Sequence, residues 1–278
     1  MKTPVTKEMQ VHTYAIMNRV EDSHWWFVGR RAILENFLVQ ICSESRLQAA
    51  NLAEEFAKGK IQDIGKDLPE GDTQSVIRIL DVGCGTGVNL EMLAKFGEAE
   101  GVDVSDDALK FCKEKGLNAQ KGLAEKLPFE DESFSLATAL DVIEHLDNDT
   151  LGLKEIHRVL GKNGQALIFV PAFMWLWGVQ DDISNHRIRY TRKQITEKIK
   201  KSGFKIERAT YANITFFIPI FIGRFFMKLT GIKPKSENNI NVSALNGLFG
   251  KIFGAERFWL KYANIPFGVS IIVVAKKI

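Results

Sequence analysis

The amino-acid sequence predicts an α/β fold built on an open, mostly parallel sheet, and three observations predict it. From Val76 onward, apolar strand-like runs alternate with segments of helical spacing, a pattern that yields parallel strands joined by right-handed crossovers. One run, Val76–Leu80, passes straight into Asp81-Val82-Gly83-Cys84-Gly85-Thr86-Gly87 and then Val88-Asn89-Leu90-Glu91-Met92-Leu93, which reads as a buried strand, a tight turn and a helix start. The chain has 278 residues, 45% hydrophobic and 26% charged, which suits one sizeable globular α/β domain with embellishments.

Taken in order, residues 8–43 carry apolar and aromatic side chains at helical spacing, with Ser23 as N-cap before His24-Trp25-Trp26-Phe27 and then Arg30-Arg31. Residues 44–74 are polar and read as a surface helix and a loop at Leu68-Pro69-Glu70-Gly71-Asp72. The predicted organisation is a helical cap and linker over 1–74, a nucleotide-type core over 75–210, an insertion over 211–268 and a last core strand over 269–278. Cys42, Cys84 and Cys112 have neither metal nor disulfide spacing, which points to a reducing compartment such as the cytoplasm. The N-terminus, with Lys2, Lys7 and Glu8, does not read as a signal peptide, and no apolar run reaches the length of a membrane span.

The glycines at every second position are the chemical signal. They let a ligand approach the backbone, supply positive φ where the turn demands it, and leave helix-start N–H groups facing whatever sits above. No Gly-Lys-Ser/Thr follows, so a phosphate-binding P-loop is excluded; the spacing is G-x-G-x-G rather than the G-x-G-x-x-G of dinucleotide enzymes, which leaves a dehydrogenase as a weaker alternative. The next strand, Ala99–Val104, places Asp103 at its C-terminal end, where a carboxylate can accept two hydrogen bonds from a ribose diol.

Leu80–Gly87 resembles motif I of the class I S-adenosylmethionine (SAM) methyltransferases, and Gly101-Val102-Asp103-Val104-Ser105 resembles their ribose-binding strand end. The resemblance implies a Rossmann-like seven-stranded sheet of order 3-2-1-4-5-7-6 with an N-terminal helical cap and a helical insertion between strands 6 and 7. It implies SAM as cofactor and S-adenosylhomocysteine as product. The cofactor residues it implies are Asp81, Gly83, Cys84, Gly85, Gly87, Asp103, Val104, Leu123, Ala124, Leu140 and Asp141. Leu123 stands where relatives usually carry an Asp for adenine, so that contact falls to backbone near Leu123 and Ala124. The Trp25-Trp26 and Arg30-Arg31 pairs resemble the cap of a subgroup of the family, which implies that Trp25, Trp26 and Arg30 fold over cofactor and acceptor; the alternative is a helix packing its tryptophans on the sheet.

The fourth strand, Phe134–Leu140, ends in Asp141-Val142-Ile143-Glu144-His145, which the resemblance implies is the motif next to the transferred methyl group. On a helical turn Asp141, Glu144 and His145 share one face. With His186 they offer a divalent-metal set, a reading weighed below the metal-free one. Residues 149–160 form a helix with His157 on its surface, and Leu160-x-x-x-Gly164 matches the family motif before strand five, Ala166–Val170. After Pro171 come Trp175 and then Asp181 through Thr191, with His186, Arg187, Arg189 and Tyr190 grouped beyond the strand's C-terminal end. His186 is the candidate general base, with Tyr190, Asp141 and His145 as further catalytic candidates; Trp175, Arg187 and Arg189 are candidate acceptor contacts. The competing reading makes the group a helix cap at Thr191 with surface Asp–Arg pairs.

Strands Phe204–Thr210 and Val269–Ala275 bracket an insertion that holds nine of the chain's 19 phenylalanines and seven Lys/Arg against two Asp/Glu. Leu245, Leu248, Phe249, Ile252, Phe253, Trp259 and Leu260 fall on one side of an amphipathic helix. Such a segment suits a peripheral membrane contact at the inner face of the membrane, a pocket for a lipid-like acceptor, a homodimer interface, or helices that simply extend the core. No broad basic groove points to nucleic acid. The expected function is methyl transfer from SAM to a small-molecule or lipid-like acceptor; the alternative is a non-catalytic SAM-binding protein at the membrane surface or in regulation.

Overall fold

The computed structural model describes residues 11–58, 76–231 and 245–278. The loop expected at 68–72 lies outside them. Seven strands, β1 (Arg78–Val82), β2 (Glu98–Asp103), β3 (Ala119–Lys121), β4 (Phe134–Leu140), β5 (Leu160–Pro171), β6 (Phe204–Ala212) and β7 (Ser270–Lys277), form one sheet. Its order is β3-β2-β1-β4-β5-β7-β6, the order that the family resemblance implies. β1 pairs in parallel with β2 and β4, and β4 with β5; β7 alone runs antiparallel to both its neighbours. The central strands are apolar along both faces because helices cover both: Ile79, Leu80, Ala139, Leu167, Ile168, Phe169 and Val273 are fully buried. β5 starts earlier than the sequence suggests. Leu160 already pairs with Phe134, and a register shift absorbs the Gly161–Gly164 turn within the strand.

Helices α3 (Val88–Leu93), α4 (Asp106–Glu114), α5 (Asp149–Val159), α6 (Val179–Ile183) and α7 (Arg192–Lys201) follow their strands. Their starts are where the sequence puts capping residues. Ser105 accepts from the Ala108 N–H, Asn148 from Leu151, and Thr191 forms a reciprocal box with Gln194. The Thr191 cap therefore exists, and it does not exclude a functional role for the residues before it. His157, expected on a surface, is half-buried beneath Phe204 and Gly203.

The N-terminal helices α1 (Val11–Val20) and α2 (Trp25–Ala57) lie across the sheet's C-terminal edge and one face. In α2 the residues Ile33, Leu34, Phe37, Leu38 and Ile41 are buried at helical spacing. Beyond β6 come α8 (Phe217–Thr230), α9 (Asn246–Gly254) and α10 (Glu256–Leu260). The expected single amphipathic face over 245–260 does not survive. The helix is broken at Ala255, and the inward side is Asn246, Gly250, Phe253, Gly254 and Leu260, while Leu248, Ile252 and Trp259 are exposed. Close approach decides it: Gly250 and Gly254 let α9 reach the α2 backbone at Trp25 and Gly29, which bulkier faces could not do. Glu256, buried at the joint, accepts from the N–H groups of Asn213 and Thr215 and from the Thr215 hydroxyl. No helix among the described residues is long and apolar enough to cross a membrane.

The α2–α9 contact is therefore a backbone-distance contact with no slack. A Cβ on Gly29 would sit 2.5 Å from the Phe253 ring. Gly29→Ala should destabilise the chain by about 1–3 kcal/mol, read by urea denaturation, despite its better helix propensity. A neutral or stabilising result would show that α9 is not seated as described.

Candidate active site

Four strand ends, the cap and α8 enclose a cavity of about 580 Å³ at the C-terminal edge of the sheet. On the sheet side it is lined by Gly83, Cys84, Gly85, Asp103, Val104, Leu123, Ala124, Leu140 and Asp141. Trp25, Trp26 and Arg30 close it from the cap, and His145, His186 and Arg189 from the segments after β4 and β5. Most of the residues singled out in the sequence thus share one space.

The glycine turn has the geometry its composition requires. Gly83, Gly85 and Gly87 all have positive φ, at 70°, 54° and 88°. A side chain on Gly83 would run into Val142, whereas nothing lies within 4 Å of a Cβ built on Gly85, whose open side faces the cavity. Asp103 is held by its neighbours: one carboxylate oxygen accepts from the Gly85 N–H and the other from the Ser105 N–H, both at 2.9 Å. Two anchored oxygens keep lone pairs toward the cavity, an arrangement able to accept a pair of hydroxyl donors. Cys84 is no nucleophile: its hydrogen bond with Cys112, together with burial, pushes its thiol well up.

Asp81 and Gly87 lie beneath the turn rather than in the cavity wall. Asp81 is fully buried, accepts from Thr138 Oγ1 at 2.6 Å, and keeps its second oxygen without a partner. Burial, only partly offset by the Thr138 hydrogen bond and Arg30, pushes its carboxyl up to about 7.

The cap is pinned to this floor by charge. Arg30, 4% exposed, pairs with Asp141 and reaches Asn89 Oδ1 at 3.3 Å, with its guanidinium 5.7 Å over the Phe169 ring. Glu21, also buried, takes the Thr86 hydroxyl. Asp141 has φ 59°, a strained conformation for a non-glycine residue, at the end of β4. It does not begin a helical turn shared with Glu144 and His145: the short 3₁₀ turn starts at Ile143 and sends Glu144 inward.

His186 lies opposite. Its Nδ1 is 2.7 Å from Asp181 Oδ1, whose carboxylate also takes Arg189 Nε at 2.7 Å and the Gly178 N–H, with Arg224 of α8 at 3.6 Å. Burial alone would raise Asp181, but the His186 hydrogen bond and the Arg189 and Arg224 charges outweigh it and hold the carboxyl well below the usual range. A carboxylate only accepts, so Nδ1 carries a proton in this hydrogen bond. His145 packs edge-on against His186 with ring centroids 4.7 Å apart; burial and then the His186 charge push it down to about 3, so it is neutral. Glu144 is fully buried, its oxygens without a hydrogen bond among the described residues and Oε1 3.9 Å from His186 Nε2, and burial followed by the Asp141 charge raises it well above the carboxylate range. Ligand atoms of Glu144, His145 and His186 lie within 4.8 Å of one another; Asp141, held by Arg30, is not part of that group.

Three expected contacts are not brought to the cavity. The Tyr190 ring is wholly buried, and its hydroxyl donates to Asp149 at 2.8 Å; burial and the Asp149 charge push the phenol up. Arg187 pairs with Asp147 outside the cavity, and Trp175 is 52% exposed on the outer surface. Arg189 lines the wall, but its guanidinium is occupied by Asp181 and the Ala172 carbonyl. Sequence reading missed Glu21, Asn89, Asp181 and Arg224, whose importance rests on tertiary pairing.

Residues 80–168 match a family model described as a methyltransferase domain. Among named proteins, the demethylmenaquinone methyltransferase of Chlorobaculum tepidum is 38% identical over 98 residues, 34% of this chain and 40% of that protein. The 2-methyl-6-phytyl-1,4-hydroquinone methyltransferase 2 of Oryza sativa is 29% identical over 136 residues, 46% of this chain and 39% of that one. The chain thus spans about two fifths of the length of these relatives. A Thermotoga maritima structure described as a SAM-dependent methyltransferase superposes at TM-score 0.51 with 20% identity, covering 97% of this chain and all of that one, a likeness of fold.

The Asp81 carboxyl gives a pH signature. In the folded chain it holds its proton up to about 7, while unfolded Asp loses it near 3.8, so folding takes up a proton between those values and stability falls as pH rises through them. The contribution is on the order of 4 kcal/mol. Denaturation at pH 5 and pH 7.5 should show a smaller pH difference for Asp81→Asn than for the parent chain. Equal differences would place the proton elsewhere.

Proposed function

We propose, for a chain whose residues 80–168 are a methyltransferase domain, that it transfers a methyl group from SAM to an apolar small-molecule or lipid-like acceptor, with His186 as the general base. The observation that carries the reading is the His186–Asp181 pair. A carboxylate fixes the ring, and His186 lines the cavity beside the β4 end with its Nε2 3.9 Å from the Glu144 carboxyl.

The donor half of the cavity fits the cofactor that the family implies. Asp103, anchored by two N–H groups, would take the ribose hydroxyls; Gly83, Cys84 and Gly85 would form the floor; Val104, Leu123 and Ala124 would flank the base; Leu140 and Asp141 would stand at the transfer point. SAM supplies a methyl group already activated on a sulfonium, so the chain needs no covalent nucleophile. What the chain contributes is alignment and proton removal. Trp25 and Trp26 form an apolar wall, backed by Phe216 and Phe253, against which a ring or chain can lie. Arg30, pre-set by Asp141 and Asn89, would hold an acceptor oxygen, and His186 Nε2 would take its proton. Arg189 and Arg224 act on Asp181 instead of on the acceptor. Two relatives are named for demethylmenaquinone and a phytyl hydroquinone, which supports an apolar, oxygen-bearing acceptor.

Glu144, His145 and His186 are read as a proton-handling group without metal, since His186 is already oriented by Asp181 and burial disfavours the charged form of Glu144. EDTA should leave turnover unchanged; loss that zinc or magnesium restores would reverse this reading. His186→Ala should lower kcat by about 10²- to 10⁴-fold. Calorimetric affinity for S-adenosylhomocysteine should stay unchanged in the same variant, and equal loss of both would refute the base role. Tyr190→Phe should lose about 1 kcal/mol of stability with the Asp149 hydrogen bond and keep its turnover.

A further inference from the structure

The helix α8 is apolar on two opposite sides, and only one is used inside the molecule. Pro219, Ile220, Gly223 and Met227 line the cavity. Ile218, Ile222, Phe225 and Leu229 point the other way and are 58–75% exposed. One helix, about 10 Å thick, therefore separates the acceptor cavity from a bare hydrophobic surface. That surface is continuous rather than scattered. Rings touch in series from exposed Phe267 through half-buried Phe217 to exposed Trp175, Phe221 and Phe225, at centroid distances of 5.2, 5.9, 5.7 and 6.2 Å. Isolated exposed hydrophobics need no explanation, but a connected ridge of this kind does.

Charge says what covers it. Over residues 213–231 and 245–267 the exposed charged side chains are Lys228, Lys251, Arg257 and Lys261, all basic. The acid in these stretches, Glu256, is buried on Asn213 and Thr215, and Arg224 is turned inward to the Leu176 carbonyl and Asp181. An apolar ridge whose exposed charges within these described stretches are all cations matches the surface of an anionic bilayer, where aromatic rings enter the interface and lysines meet headgroups. A second copy of the same face would bring those cations together.

We propose that α8 and the α9–α10 pair dock the protein on an anionic lipid bilayer, and that the apolar acceptor is drawn from that bilayer past α8 into the cavity. The second half rests on the acceptor reading given above; the docking does not. Arg224 adds a consequence. The same helix that faces the lipid holds Asp181, so the docked element also braces the carboxylate that orients His186.

The test is sedimentation of the full chain with phosphatidylcholine vesicles, with and without phosphatidylglycerol. The chain should bind the phosphatidylglycerol vesicles more tightly, and added salt should weaken the binding. The double variant F225S/L229S should lose at least about tenfold in vesicle affinity. K251E/K261E should lose the preference for phosphatidylglycerol while keeping the ridge. Both sets of side chains lie outside the cavity wall, so calorimetric binding of S-adenosylhomocysteine should match the parent chain and certify the fold. No vesicle binding, or equal binding by parent and variants, overturns the proposal. So does a two-copy particle in light scattering that F225S/L229S dissociates, which would assign the ridge to self-association. Absence of S-adenosylhomocysteine binding in the parent chain would instead strike the methyl-transfer reading and leave the vesicle result standing.

Discussion

One buried carboxylate, Asp181, ties together parts of the chain that sequence order keeps apart. It receives His186 and Arg189 from the segment after β5, the Gly178 N–H from the start of its own helix, and the Arg224 charge from α8. Removing a carboxylate from water is expensive, and it is tolerated where several donors converge. The convergence here is specific enough to fix a ring orientation. With Arg189 also bound to the Ala172 carbonyl and Arg224 to that of Leu176, the ion set is welded to backbone on two sides. The imidazole is therefore presented to the cavity by a scaffold, and the proton on its Nδ1 follows from the acceptor-only chemistry of its partner.

A second set of charges closes the cavity from above. Arg30 on α2 and Asp141 at the end of β4 are 111 residues apart, and their pairing brings the cap onto the strand end. The strained φ of Asp141 is sustained because Arg30 holds its side chain and the Phe169 carbonyl takes its N–H. Glu21 on Thr86 makes the same link at the glycine turn. Cap and core are joined at the end of β4 and at the glycine turn, so neither wall of the cavity is complete without the other.

The parts legible in the sequence were those with local causes. Strands show as short apolar runs, helix starts are set by capping side chains, and the glycine turn by positive φ that other residues resist; each was found within a few residues of its place. Asp103 and His186 were legible because their residue types have few bland uses at strand ends. What failed had tertiary causes. Tyr190 directly follows the cavity-lining Arg189, yet the pairing of Ala172 with Tyr190 turns its ring into the core toward Asp149. Arg187 and Arg189 are equivalent in sequence, and only the position of Asp181 separates them. The burial of Glu144 depends on Asp141 leaving the helical region, which no propensity forecasts.

The insertion shows the same limit in a stronger form. A hydrophobic stripe on a helix says that one side avoids water, and by default that side faces the protein. In α9 the default fails, since glycines at 250 and 254 permit a contact so close that Leu248 and Ile252 are left outside. In α8 it fails differently: both sides are apolar, so the pattern alone gives no direction. A helix hydrophobic all round is normally enclosed. This one is enclosed on the cavity side only, with Arg224 as the anchor that fixes its rotation by binding Leu176 and facing Asp181. Rotated by half a turn, the helix would put Arg224 outside and leave Asp181 short of a charge. The orientation of the exposed ridge and the setting of the His186 ring therefore share one cause, so a change that turns α8 also disturbs the carboxylate that holds the imidazole.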